Sequence, residues 1–571
     1  MVELKKERWL VFSAWPYVNA IPHLGNLIGS ILSADIAARF LRMRGAEVVF
    51  ASGSDQHGTP IEVEAVKRRM DPEKMANEMH ERISELFRKW GISFDIYTKT
   101  HNPTHINFVR EFYSRVYENG YIFSDTVQAL FCPVDNVFLP DRFVEGTCPY
   151  CNYPRARGDQ CDNCGRLLDP LQLIEPRCVI CQSKPVVKES KHWFFDLPKL
   201  ANKLNEYIEN NPNLPDNARN MSVQMLNEGL RPRSVTRDNK WGIPAPFPGA
   251  EGKTIYVWME AVLGYVSAVR EYFERRGEPE KWKEFWLNSE TKSVYFVGKD
   301  NIPFHTIIFP ALLLASGEGY VLPWTVASTE YLLFEGEKFS KSRGIGVWID
   351  EAIELLPVDY WRFALVWMRP EVRDTSFTWK GLQEVVNAIL NDTIGNFVHR
   401  TLTLVKRRFD YVIPDPGELR PDDQRVLDDA WSRIDEAEKE MLAFRFKRAL
   451  VHIAEVASIG NAYLNERKPW EEPLQEAAKT LFTACSLVKT LAVALAPVTP
   501  GKAQEMWEAL GYTGRVEEAG WHEAKQPVKP GLRIMEPQPL FRKISDEELA
   551  AMQERLTKIR RGVFPRVRVN L

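Results

Sequence analysis

His23 and Asn26 flank Leu24-Gly25 in the stretch SAWPYVNAIPHLGN, Ser13 to Asn26. An apolar run before it, Trp9 to Phe12, reads as a buried strand, and a helical pattern after it, Leu27 to Arg44, is stopped by Gly45. The two polar residues then stand at a helix N-terminus, where unpaired N–H groups and a partial positive charge suit a phosphate. Gly25 between them allows close approach. Taken alone, His-x-Gly-Asn reads as readily as an ordinary turn that holds a histidine. Far downstream, Lys338-Phe339-Ser340-Lys341-Ser342, followed by Arg343-Gly344, changes the balance. Lysine suits a loop over a triphosphate because a long, mobile point charge can follow negative charge onto the leaving pyrophosphate.

Positioning such groups takes an α/β domain. After the opening helix, Glu47 to Gly53 reads as a second strand ending in Ser54-Asp55-Gln56-His57-Gly58. A carboxylate at the end of a parallel strand can hold an ammonium group or a ribose; Asp55 reads equally as a helix N-cap. A helix from Pro72 to Trp90, a strand from Asp95 to Thr100 and a helix from His105 to Asn119 continue the alternation of a doubly wound parallel sheet. Near Ser234 the alternation resumes, with strands expected at Lys253 to Trp258, Ser293 to Val297 and Thr325 to Thr329. From about Gly381 the strand signals stop. Amphipathic helices over Asn387 to Arg407, Asp422 to Phe444, Lys447 to Glu466 and Leu474 to Ala496 predict an antiparallel bundle.

Between these parts, seven of the eight cysteines lie from Cys132 to Cys181, mostly as C-x2-C pairs, which favours metal over disulfides in a cytosolic chain. Cys148, Cys151, Cys161 and Cys164 form a complete tetrahedral set for Zn2+. Cys132, Asp135, Cys178 and Cys181 remain for a second site. An internal repeat in the same segment supports a competing arrangement in which each repeat pairs within itself, so one or two structural zinc ions are expected. Cys485, in an apolar helical run, reads as core.

Net charge is only −3 over 571 residues, so any RNA contact must come from local patches. No run of about 18 uncharged apolar residues appears and the N-terminus lacks a signal-peptide core, which points to the cytoplasm and to no membrane partner.

Together HLGN and KFSKS resemble the paired signatures of the class I aminoacyl-tRNA synthetases, HIGH and KMSKS. Within that class the resemblance is to the methionyl-tRNA synthetases of archaea and eukaryotes, where Asn in the fourth place of the first signature is usual. It runs from about Trp9 to the C-terminal region. The resemblance implies a Rossmann-like catalytic domain and an ATP-dependent ligation of L-methionine to its initiator and elongator tRNA through an adenylate. His23, Asn26, Lys338 and Lys341 become catalytic. His23, Gly25, Asn26, Gly298, Lys299, Asp300 and Lys341 become the ATP contacts, with Mg2+ on the triphosphate. Trp15, Tyr17, Trp258, Val262, Tyr265, His305 and Phe309 become the methionine side-chain pocket, with Tyr265 and His305 aimed at the sulfur. Asp55 becomes the partner of the α-amino group, with His57 nearby. Asn396, Arg400 and Trp470 become anticodon readers, groups suited to stacking and hydrogen-bonding splayed bases. By the same resemblance, Cys148, Cys151, Cys161 and Cys164 match the zinc ligands of the single-site members.

The expected organisation is a first catalytic half at 1–120, a zinc-knuckle insertion at 121–232, and a second catalytic half at 233–324. A KFSKS-containing region at 325–380, a helical anticodon-binding domain at 381–535 and a tail at 536–571 complete it. The lack of a further C-terminal domain suggests a monomer. Two other readings stay open: a class I synthetase for cysteine or an aliphatic amino acid, and a non-catalytic RNA-binding protein on the same scaffold. A pocket lined by Trp258, Tyr265 and His305 without a bound zinc opposes cysteine, the absence of an editing-sized insert opposes the aliphatic group, and intact HLGN and KFSKS oppose the last.

Overall fold

The computed structural model describes residues 6–140, 143–158, 161, 163–164, 166, 168–340 and 343–561. Apolar, β-rich runs form a five-stranded parallel sheet in the order Thr325–Thr329, Lys292–Gly298, Arg8–Ser13, Glu47–Ser54, Ile96–Lys99. All its pairings are parallel, in register Leu10 with Ser293 on one side and Leu10 with Val49 on the other. The chain order reverses between Arg8–Ser13 and Lys292–Gly298, so the carboxyl ends of these two strands flank the crevice.

The helix Leu24–Met43 packs on one face; it opens with one α-turn and a π-helical segment, Leu27–Ile31, before settling into α geometry. Such π-turns are frequent at functional sites. Ser30 ties it to the crevice: its Oγ donates to Phe296 O at 2.7 Å and accepts from Ala14 N at 2.8 Å. Asp35 on the same helix is fully buried and takes charged hydrogen bonds from Arg39 at 3.0 Å and Arg362 at 2.6 Å. Arg362 also donates to Trp90 O, Pro497 O and Val498 O, so one guanidinium joins the helix Leu24–Met43 and the end of Pro72–Lys89 to the segment after Leu474–Leu495. These cations hold the Asp35 carboxyl down at about 2 against the cost of burial.

Helices Pro421–Leu442, Phe446–Arg467 and Leu474–Leu495 follow the expected bundle within one or two residues at most ends. A continuous helical run over Trp379–Glu384, Val385–Gly395 and Asn396–Phe409 lies beside them. At Gly460 a side chain would meet the Phe397 ring at 2.3 Å, so only glycine allows the close approach of these helices. Leu24–Met43 and Leu474–Leu495 are apolar and long enough to cross a membrane, but 83% and 94% of them is buried in the protein's own core.

The run Lys253 to Trp258, expected as a strand of the main sheet, is something else. Only Thr254–Ile255 is extended, antiparallel to Thr236–Arg237, and a short helix, Val257–Ala261, follows at once. A brief apolar run carries no period that separates strand from buried helix. The cysteine-bearing insertion is antiparallel: Ile122–Cys132 pairs along its length with Val186–Phe195, and a small three-stranded sheet holds Val144–Thr147, Ala156–Arg157 and Ile174–Cys178.

Candidate active site

His23 caps the helix Leu24–Met43 through a reciprocal pair: its Nδ1 accepts from Asn26 N, and Asn26 Oδ1 accepts from His23 N, both at 3.2 Å. Because Nδ1 accepts, the ring proton sits on Nε2. Burial lowers the imidazole to about 4, so the ring is neutral near pH 7. The ring stacks on Phe339, with centroids 4.2 Å apart and planes 8° apart. HLGN and KFSKS, widely separated in sequence, are thus in direct contact. The backbone adds to this: Leu24 N donates to Val347 O at 3.1 Å and Ile349 N to Pro22 O at 3.0 Å.

Lys338 Nζ lies 5.5 Å from the centre of the Tyr331 ring, and Lys299 Nζ 4.3 Å from it. Lys299 is further engaged with Glu330 at 2.7 Å and Asp374 at 2.8 Å, so its charge already has two carboxylate partners. Asp300 is pushed up by burial, with Lys299 and Lys338 partly opposing. Lys341 lies outside the described residues.

Beyond the strand ends lies an aromatic nest. Tyr265 packs against Phe12, Tyr295 and Phe309 at 5.0 to 5.8 Å, and its Oη is 2.7 Å from His305 Nε2. Tyr17 meets Trp258 edge-on at 5.7 Å, Val262 is buried in the same cluster as Tyr265, and Phe304 lies over Trp258. Trp15 wedges between Gly53 and Gly264, where a side chain at either would strike its ring at 2.6 and 2.8 Å. Its indole Nε1 is buried without a hydrogen-bond partner among the described residues. Trp15 faces His105, a fully buried ring that sequence reasoning passed over.

Asp55 ends the strand Glu47–Ser54 at the same rim, its backbone paired with that of Tyr17. Burial pushes its carboxyl well above the usual range, and the nearby Glu260 pushes it further. An adjacent cation would relieve this pressure on the carboxyl. The His57 backbone N–H donates to Asp55 Oδ1 at 3.4 Å, while its ring engages other groups: Nδ1 is 2.6 Å from Glu260 Oε1 and Nε2 is 3.0 Å from His101 Nδ1. Glu260 and His101 were not singled out from sequence; neither stands in a recognisable pattern, and only the tertiary contact with His57 marks them. A cavity of about 80 Å³ opens beside Tyr17 and Trp258, walled by Tyr256, on which the Arg237 guanidinium stacks at 3.8 Å.

In the insertion, Cys148, Cys151, Cys161 and Cys164 come together as one group, and Cys132, Asp135, Cys178 and Cys181 as another, each with all ligand atoms within 4.8 Å of one another. Pairing within each repeat is therefore not what the fold brings about. Sulfur pairs stand 3.6 Å apart at Cys151–Cys161, 3.9 Å at Cys148–Cys164 and 3.5 Å at Cys132–Cys181. Tetrahedral zinc with bonds of ~2.3 Å needs sulfurs about 3.8 Å apart, so both donor sets fit that ion.

On the bundle, Asn396 and Arg400 share a face and are held by Asn461, with Arg400 also donating to Asn465 at 2.8 Å. Trp470 is 41% exposed, and Arg408 donates to its carbonyl at 3.2 Å.

A family model described as tRNA synthetases class I (M) matches residues 9–402, and one described as the anticodon binding domain of methionyl tRNA ligase matches residues 413–561. The chain belongs to the methionyl-tRNA synthetase family. It is 62% identical over 560 residues to a methionine–tRNA ligase of Thermofilum pendens, covering 98% of this chain and 99% of that one. Another, from Pyrobaculum arsenaticum, is 56% identical, with 98% of both chains covered. Mycobacterium tuberculosis methionyl-tRNA synthetase in complex with methionyl-adenylate shares the fold at a TM-score of 0.77 and 23% identity, over 94% of this chain and 100% of that one. In this synthetase chain the class I match contains HLGN, KFSKS, Asn396 and Arg400, whereas Trp470 falls in the anticodon-domain match.

Proposed function

We infer that the chain ligates L-methionine to its tRNA in two steps. The methionine carboxylate attacks the α-phosphorus of ATP, the P–O bond to pyrophosphate breaks, and methionyl adenylate forms. A terminal ribose hydroxyl of the tRNA then attacks the activated carbonyl and AMP leaves. The observation that carries this reading is the stacked pair His23 and Phe339, which joins HLGN to KFSKS at the strand ends where Asp55 and the aromatic nest lie.

No side chain need act as a covalent nucleophile; the chemistry is positioning and charge stabilisation. His23, through its Nε2 proton, and the Leu24–Met43 helix N-terminus serve the phosphates from one side. Lys338, and Lys341 by its place in the motif, serve the leaving pyrophosphate from the other. Mg2+ bound with the triphosphate supplies further neutralisation of its charge. Gly25 and Asn26 border the nucleotide, as do Gly298, Lys299 and Asp300, with Lys299 acting chiefly through its carboxylate pairs. Asp55 takes the α-ammonium group, while Trp15, Tyr17, Trp258, Val262, Tyr265, His305 and Phe309 enclose the thioether, where each sulfur–aromatic contact adds roughly 0.3–1.5 kcal/mol. Asn396, Arg400 and Trp470 read the anticodon of both initiator and elongator tRNA. Two structural zinc ions hold the insertion; four protein ligands at each leave no open position for catalysis.

Amino-acid-dependent exchange of labelled pyrophosphate into ATP, without tRNA, tests the reading across all twenty amino acids. Exchange with methionine alone is expected. Exchange with a different amino acid would keep the activation chemistry and overturn the pocket, and no exchange by folded, zinc-loaded protein would favour an RNA-binding role.

A further inference from the structure

The last described helix, Asp546–Arg560, lies far in sequence from the catalytic strands, within the match to the anticodon-binding domain. Its final residue nevertheless ends in the active-site region. Arg560 Nη1 donates to Gly344 O at 2.8 Å, and Nη2 donates to Gly346 O and to Glu351 Oε2, the latter at 3.0 Å. Nε donates to Glu351 Oε1 at 3.0 Å, and the guanidinium plane sits 5.2 Å from the Trp348 ring centre. Glu351 is buried and its Oε2 also accepts from Trp348 N at 3.0 Å, so the pair is built into the fold and not a solvated surface contact.

What Arg560 grips is what Phe339 rests on. At Gly346, whose φ is +130°, an added Cβ would lie 2.4 Å from the Phe339 ring. Phe339 therefore lies directly against the Gly346 backbone, and its ring is stacked on His23. Two hydrogen bonds between Ser340 and Ile345, at 2.8 and 2.9 Å, hold the two sides of this turn together. Val347 and Trp348 in turn pair with the backbone around His23. The contacts form one line: Arg560, Gly346, Phe339, His23.

We propose that Arg560 is a positioning residue for adenylate formation, setting the Gly344 and Gly346 backbone on which Phe339 and, through it, the His23 ring are aligned. The proposal rests on the function inferred above. It makes handling of ATP depend on docking of the C-terminal helix, although Arg560 touches no reacting atom. A basic residue at a helix C-terminus is also favoured simply by the helix dipole, which is the plain structural account. Arg555 on the same helix separates the two: it pairs with Glu354 at 3.3 Å, half-exposed, and has no contact with residues 344–346 among those described.

Pyrophosphate exchange with full-length chain, varying ATP and methionine separately, tests this on Arg560→Ala, Arg560→Lys and Arg555→Ala. Arg560→Ala is expected to raise the KM for ATP about tenfold, ~1.4 kcal/mol, with the methionine KM within about twofold of wild type. Arg560→Lys should restore only part of the loss, since an ammonium cannot reproduce the planar fork across two carbonyls and a carboxylate. Arg555→Ala should match wild type. If Arg560→Ala does not fold, Arg560→Gln, neutral but still a donor, is read in the same assay and should show a smaller rise in ATP KM. Wild-type ATP kinetics in the folded Arg560 variants would overturn the proposal, as would an equal defect in Arg555→Ala or parallel rises in both KM values. A wild-type chain that exchanges nothing would overturn the underlying function, and this role with it.

Discussion

Tyr265 donates its hydroxyl proton to His305 Nε2 across 2.7 Å, because His305 Nδ1 is already the donor to Asn301 O at 2.8 Å. Burial holds His305 down at about 4, so the ring is neutral and has only one proton to give. The pair therefore satisfies itself. The sequence-based expectation aims both polar groups at a methionine sulfur; in the structure the Tyr265 proton is engaged by His305 and its oxygen keeps a free lone pair. Tyr265→Phe orphans a buried nitrogen at a cost of about 1–3 kcal/mol. That cost falls on stability; because the hydroxyl also fixes the His305 ring, the methionine KM should rise by up to about tenfold while the ATP KM stays put. Exchange kinetics with each substrate varied in turn decide it; an unchanged methionine KM would remove the pair from the pocket.

Asp55 is a buried carboxyl pressed by Glu260 as well as by desolvation. A cation beside it would favour its charged form. Asp55→Asn should raise the methionine KM by about a hundredfold or more, as expected for a buried pair that loses one charge, 2–5 kcal/mol. The same change should leave the ligand-free melting temperature equal or higher, since a strained buried acid is gone. A drop in melting temperature together with normal methionine binding would show that Asp55 is structural.

Five histidines fall below the ordinary imidazole value of 6.5 with burial as the main cause: His23, His80 and His305 to about 4, His105 to about 3, and His101 in the same direction. The unfolded chain then binds more protons than the folded one between those values and 6.5, so stability rises with pH in that window. Full stability from these groups is present above pH 6.5 and is lost as pH falls toward 4. Asp35, held at about 2, adds the same sign at lower pH, and Asp55 opposes it. Melting temperature measured from pH 7.5 to 4.5 should fall steadily below 6.5; a flat or rising profile would contradict the buried neutral rings. His23 should add no inflection near pH 6.5 to the exchange rate.

Zinc content should be two per chain after exhaustive dialysis, one for each of the two donor groups. Cys148→Ser should lower it to one, and Asp135→Ala should do the same at the other group. Elemental analysis of the three proteins is sufficient. One zinc in the wild-type chain, unchanged by Asp135→Ala, would leave the second group as a cluster of side chains without an ion.

Helices such as Phe446–Arg467 could be read from the chain because period 3.6 is a local property, and strands such as Thr325–Thr329 because a short β-prone run stands between turn signals. HLGN, KFSKS and the cysteine pairs were visible for the same reason: each motif is contiguous. The run Lys253 to Trp258 misled because it is too short to hold a period. Which cysteines share a group could not be told from spacing, since Asp135 and Cys178 meet only when Ile122–Cys132 folds against Val186–Phe195. Glu260 and His101 gained meaning only from His57, and Arg560 only from Gly344 and Gly346. Local pattern settles which elements form and which chemistry the motifs carry. The direction of a single proton between Tyr265 and His305, or the reach of a terminal guanidinium to a distant turn, depends on side chains brought together by packing, and no local pattern encodes that.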